Sequence, residues 1–283
     1  MNPQEMSWKA RINRYAREHD IAPQVVLQNI MFERFLRRLA NSGYRDCFIL
    51  KGGVLVAAMV GLDYRSTMDI DTTLRHFPLD EEKVSQAINE IISRDEHDDT
   101  VFRLMRMEAI RQDDMYGGLR VGMQAQSGNI VVPFSIDIST GDAITPHPVE
   151  MEFPAILDNA LPVKLWSYNK ETIVAEKIET ILRRGVFSTR PRDFYDVYIL
   201  TRTRNDLNHA VLKRAIQSTA LHRHSEHIID RWREIINTLT TSPALQRHWI
   251  TYRRNFPYAQ EIEYSQLMET LRELLDAILP SEK

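Results

Sequence analysis

Apolar residues recur at helical spacing over residues 24–40, where Val25, Val26, Ile30, Phe32, Phe35, Leu36 and Leu39 interleave with Glu33, Arg34, Arg37 and Arg38. That pattern predicts an amphipathic helix closed by Asn41-Ser42-Gly43. A short apolar strand at 48–50, a Gly52-Gly53 turn, a small-residue helix at 54–60 stopped by Gly61 and a strand at 68–74 follow. Pro78 and the acidic run Asp80, Glu81 and Glu82 open a helix reaching residue 92, since negative side chains favour a helix N-terminus. Strand patterns at 101–110, 118–125 and 129–139, separated by Gly117-Gly118 and Ser127-Gly128-Asn129, predict an antiparallel meander.

Prolines 146, 148, 154 and 162 then mark a change of composition, and beyond Ser167 the periodicity is helical. One helix is expected at 171–184, with Val174, Ile178, Ile181 and Leu182 as its buried stripe and Gly185 as its stop. Another is expected from Thr189-Arg190-Pro191, a hydroxyl cap plus an early proline, with Val197 and Leu200 facing inward. The fold class is α+β and bilobed: a mixed β-sheet core with flanking helices over residues 1–165, then a helical domain over 166–283.

Composition narrows this only slightly. With 283 residues, 43% hydrophobic and 27% charged, the chain has the make-up of an ordinary globular protein. A net charge of −3 gives no global attraction to nucleic acid or an anionic membrane, so polyanion binding falls to local patches. The single Cys47 excludes a disulfide within the chain and reads as a small buried residue. The first thirty residues mix basic and acidic side chains without a signal-like apolar stretch, and the apolar run at 54–60 is far short of the roughly 20 residues that span a bilayer. A cytoplasmic location without membrane contact is the expectation.

Candidate chemistry concentrates in Lys51-Gly52-Gly53 and Arg65-Ser66-Thr67-Met68-Asp69-Ile70-Asp71. In an extended strand, side chains at i and i+2 share a face, so Asp69 and Asp71 are expected to grip one divalent cation while Ile70 packs inward. Hard oxygen donors favour magnesium, with manganese a substitute. Side-chain-free backbone ahead of a helix offers N–H groups to phosphate oxygens, which together suits a nucleoside triphosphate. Alternation in residues 134–139 sets Asp137 opposite the packed Ile136 and Ile138, either as part of a solvated strand face or as a third metal carboxylate beside Asp69 and Asp71.

Lys177 falls within an apolar stripe, where an ammonium is costly unless paired or set in a polar cavity, and Asp193 points along the inward side of the next helix. Either the two form an ion pair joining two helices, or Lys177 serves the triphosphate and Asp193 the attacking hydroxyl. Arg183, Arg184, Arg190, Arg192, Arg202 and Arg204 make a local basic excess of the kind RNA backbones need. His222, His224 and His227 lack the cysteine or carboxylate that would complete a zinc set.

Taken in order, Phe32-Glu33-Arg34-Phe35-Leu36, Leu50-Lys51-Gly52-Gly53, the Arg65–Asp71 motif, Ile136-Asp137-Ile138, Ala175-Glu176-Lys177 and Arg192-Asp193-Phe194-Tyr195-Asp196 resemble the AbiEii/AbiGii-type nucleotidyltransferase toxins of type IV toxin-antitoxin systems. Those toxins look like members of the DNA polymerase beta-type nucleotidyltransferase superfamily. The resemblance implies a nucleotidyltransferase-type core and transfer of a nucleoside monophosphate from an NTP to a hydroxyl, with the tRNA 3′ end as acceptor and translation and growth as the processes inhibited. It implies Asp69, Asp71, Lys177 and Asp193 as catalytic residues, with Lys177 and Asp193 contributed to the cleft by the helical domain. Lys51, Gly52, Gly53, Arg65, Thr67 and Lys177 are implied on the nucleotide, and Asp69, Asp71 and Asp137 on magnesium. A cognate antitoxin, acting on the gene or the protein, is implied as a partner. Gly-Gly replaces the Gly-Ser more common in the superfamily's phosphate turn, which removes a serine contact there. A catalytically silent nucleotide-binding regulator and a metal-dependent nuclease are the rival readings. Asp69→Ala or Lys177→Ala is expected to abolish transfer while leaving the chain folded.

Overall fold

The computed structural model describes residues 3–110, 117–157, 161–203 and 206–279. The chain divides into two compact units, Met1–Gly141 with Val149–Ser167, and Asp142–Pro148 with Tyr168–Lys283. No helix among the described residues is long and apolar enough to cross a membrane.

The first unit runs α1 (Pro3–Glu18), α2 (Pro23–Ala40), β1 (Phe48–Lys51), α3 (Gly52–Val60), β2 (Ile70–Leu74), α4 (Glu81–Ile92), β3 (Thr100–Ile110), β4 (Gly118–Ser127), β5 (Ile130–Thr140), β6 (Val149–Phe153) and β7 (Val163–Ser167). Its strands form one mixed sheet in the order β3-β4-β5-β2-β1-β7-β6. The meander β3-β4-β5 is antiparallel as expected, β5 runs parallel to β2, and β1 runs antiparallel to β2 but parallel to β7. Strands β6 and β7 were not anticipated, because the prolines of that stretch, Pro148, Pro154 and Pro162, flank the two strands without interrupting their ladder. The α2 stripe buries Val26, Ile30, Phe32, Phe35 and Leu36. Phe32, Phe35, Phe102 and Phe134 meet edge to face at 5.5–6.2 Å, tying α2 to the meander. Each such ring contributes about 1.5–3 kcal/mol of burial free energy.

Register decides what the sheet presents. Lys51 lies opposite Asp71, Asp71 beside Asp137, Asp137 opposite Arg120, and Arg120 opposite Glu108. Direct cross-strand partners share a face, so five charged positions form one row across five strands.

The second unit contains α5 (Lys170–Arg184), α6 (Pro191–Arg202), α7 (His209–His222), α8 (Glu226–Asp230), α9 (Trp232–Thr240), α10 (Pro243–Asn255) and α11 (Tyr264–Ile278). Asn169 caps α5 through Thr172 N–H, and its amide also donates to Thr145 and His147 carbonyls, fastening the 142–148 excursion to the helix start. Pro191 opens α6 as expected, but its N-cap is Arg190, which makes no side-chain cap; Thr189 lies one residue too early. Buried Glu179 accepts from Arg183, Arg223 and Ser225, binding α5 to the segment after α7.

Candidate functional site

Antiparallel pairing of Lys51 with Asp71 sends the chain after Lys51 directly past the Asp71 side chain. Gly52 sits there at φ +63°, and a Cβ at this position would overlap the Asp71 carboxylate. At Gly53 a Cβ would lie 2.5 Å from Thr67 Oγ1 and 3.4 Å from Arg65 Nη2. The two glycines are thus required by close approach on both sides, and Gly52 also by its left-handed backbone. Together they open α3 and leave its first N–H groups uncovered by side chains of their own.

Thr67 Oγ1 donates to Asp69 Oδ1 at 3.1 Å, fixing the first carboxylate. Asp69 precedes β2 rather than lying within it, because sheet pairing begins at Ile70. The reason is on the far side of the loop: Gln28 Nε2 donates to Met68 O at 2.7 Å and Asn29 Nδ2 to Thr67 O at 3.1 Å, holding that backbone to α2. Both amides are buried, at 4% and 5% exposure, within the otherwise apolar face of α2. Sequence reasoning missed them, and their signal was two adjacent polar residues between Val26 and Ile30 on a stripe meant for packing.

Asp69 and Asp71 are both part-exposed, while Ile70 between them is fully buried. Two hard carboxylates, one oriented by a hydroxyl and the other seated in space that only glycine leaves, fit a divalent cation. Lys51 and Arg65 belong to the floor of this arrangement: Lys51 is 5% exposed and donates to Ser139 Oγ at 2.7 Å, and Arg65 is 1% exposed and donates to the Ser66 carbonyl.

The strand of Asp137 does lie next to that of Asp71, in direct register. Its face is not solvated, since Asp137 and Ser139 are buried. Both Asp137 oxygens accept from Arg120, Nε to Oδ1 and Nη2 to Oδ2, each at 2.7 Å. That fork and its charge raise the Arg120 pKa above its ordinary value against a desolvation penalty, with Asp69 and Glu108 adding to it from further away. Three carboxylates are therefore neighbours, but the third already holds a cation of the protein's own. Among the described residues no group of three or more His, Cys, Asp or Glu side chains is set to hold a metal. The same holds of His222, His224 and His227.

In the second unit Lys177 Nζ donates to Asp193 Oδ1 at 2.6 Å and lies 3.0 Å from Asp196 Oδ2. Asp193 is 3% exposed and Asp196 fully buried. Asp193 Oδ2 is buried and accepts no hydrogen bond, although Arg190 Nε stands 3.4 Å away. Two carboxylates one helical turn apart thus share the Lys177 ammonium, and Asp193 also faces Arg190. Of the basic residues, Arg183, Arg190 and Arg202 are engaged with Glu179, Asp193 and Glu273, and Arg204 lies outside the described residues.

A family profile described as nucleotidyl transferase AbiEii toxin, type IV TA system, matches residues 34–277. No curated protein sequence matches. Among solved structures, MenT4, a nucleotidyltransferase toxin from Mycobacterium tuberculosis H37Rv, is similar at 15% identity and a TM-score of 0.57, covering 95% of this chain and 98% of that one. JHP933 from Helicobacter pylori is similar at 13% identity and a TM-score of 0.51, covering 91% of this chain and 92% of its own. At such identities these two likenesses speak to the fold.

Proposed function

Since the chain belongs to the AbiEii family of nucleotidyltransferase toxins of type IV toxin-antitoxin systems, we propose that it moves a nucleoside monophosphate from an NTP to the 3′ hydroxyl of tRNA, with magnesium, and so stops translation and growth. The observation that carries the reading is the union of a side-chain-free turn at Gly52-Gly53 with Asp69 and Asp71, the one closing directly against the other. A phosphate chain would meet a helix start that carries no side chains of its own, beside two carboxylates.

A magnesium ion held by Asp69 and Asp71 would supply charge neutralisation at the phosphoryl group under attack. The remaining work falls to the chain itself. Thr67 orients Asp69 and stands against Gly53, where it meets the terminal phosphate. Lys51 and Arg65 set positive charge beneath the turn. By the family resemblance, Lys177 would supply charge to the triphosphate and Asp193 would orient or deprotonate the acceptor hydroxyl. In-line displacement then forms the new P–O bond as pyrophosphate leaves. A cognate antitoxin, acting on the gene or the protein, and a cytoplasmic setting complete the reading.

Incubation with each labelled NTP, magnesium and total tRNA tests it. A nucleotide added to the tRNA 3′ end is the expected product. Shortened RNA, or bound nucleotide without incorporation, would contradict it and favour a nuclease or a silent binder.

A further inference from the structure

The charged row of the sheet raises a question about how many ions the site takes. A pair of divalent ions some 3.5–4 Å apart needs carboxylates able to reach both. Asp137 is the neighbour placed for that task, directly beside Asp71 in the parallel ladder. Its two oxygens, however, are spanned by a guanidinium fork at 2.7 Å and 2.7 Å. Arg120 comes from the adjacent antiparallel strand at the paired position, within a ladder running unbroken from Gly118↔Ser139 to Ser127↔Ile130. No backbone movement is required to keep the fork closed, and a bidentate Arg–carboxylate pair is among the strongest hydrogen-bonded pairings of side chains. Asp137 is 8% exposed, so stripping its partner would leave a buried charge unpaired.

We propose that Arg120 stands in the place of a second divalent ion, that Asp137 serves as its anchor rather than as a metal ligand, and that the site works with one divalent cation on Asp69 and Asp71. This rests on the reading of Asp69 and Asp71 as cation ligands. The advantage of a resident guanidinium is that it is always charged and never dissociates. One positive charge is therefore present beside the bound ion at any free magnesium concentration.

Titration of the full chain with Mn²⁺, followed by the electron paramagnetic resonance signal of the free ion, tests the proposal, with circular dichroism melts as the check on folding. The wild-type chain is expected to bind one Mn²⁺. Asp137→Asn should bind one ion with affinity within about threefold of wild type, and Arg120→Gln, which frees the carboxylate, should bind two. Two ions on the wild-type chain, a tenfold loss of affinity in Asp137→Asn, or an unchanged stoichiometry in folded Arg120→Gln would overturn it. Should Arg120→Gln fail to fold, the Asp137→Asn affinity decides alone. Asp69→Asn separates the two levels: wild-type binding by that variant would remove the site itself, whereas failure confined to the Arg120 and Asp137 variants would remove only the single-ion inference.

Discussion

Two acidic pairs, one in each unit, are built from the same side chains to opposite ends. Asp69 and Asp71 are part-exposed, one ahead of a strand and one within it, with a glycine turn closing against them. Asp193 and Asp196 are buried a helical turn apart, already neutralised by Lys177 and flanked by Arg190. The first pair is held at a part-exposed glycine turn, while the second is buried around a resident lysine. The difference teaches that an ammonium in an apolar stripe is carried by carboxylates of the neighbouring helix, whereas carboxylates at a glycine turn keep part of their surface open.

Removing the resident cation should break the comparison most severely. Lys177→Met leaves Asp193 and Asp196 buried without their ammonium, and a loss of about 3–5 kcal/mol is expected in urea unfolding. A loss of that size would overturn the expectation that a Lys177 substitution spares the fold. Adding Asp193→Asn and Asp196→Asn should recover most of that loss; if the double or triple variants melt as low as Lys177→Met, the cost lies in packing instead.

At Asp69 and Asp71 the critical contacts are steric. Gly53→Ala places a methyl 2.5 Å from Thr67 Oγ1, so Thr67 and the Asp69 it orients must shift. A cost of about 1–3 kcal/mol is expected, with transfer falling more than stability does. Wild-type transfer by this variant would show that the close approach carries no function.

Loss of the amide clamp should be milder. Asn29→Ala removes the bonds to Val25 O and Thr67 O, and about 1–2 kcal/mol is expected, with transfer reduced through displacement of the 67–69 backbone. A stability loss with unaltered transfer would make Asn29 merely a structural residue. At the bottom of the scale, Gly43→Ala meets nothing within 4 Å and should change stability by no more than about 0.5 kcal/mol.

How far these regions were legible in the sequence follows from the reach of each interaction. The α2 stripe, the Asp80-opened α4 and the meander depend on local period and turn chemistry, and were readable to within a residue or two. Asp69 and Asp71 were readable as a spaced pair, but the exit of Asp69 from the strand was not. It depends on Gln28 and Asn29, which act across 40 and 38 residues. The Arg120 fork was likewise hidden, since it requires the β4–β5 register, which alternation narrows to a face but not to a partner. At Lys177 the partner Asp193 was anticipated, whereas the second partner, the fully buried Asp196, was not. Strands β6 and β7 were concealed by the prolines around them.

The central claim is that transfer depends on Asp69 while the fold does not. The most direct test is nucleotide addition to tRNA by Asp69→Asn beside the wild-type chain, at matched protein concentration and with melting curves on both. Loss of several kcal/mol of charge stabilisation predicts a drop of about 10³-fold with an unchanged melting temperature. Wild-type transfer by Asp69→Asn, or a drop explained entirely by unfolding, would contradict the account.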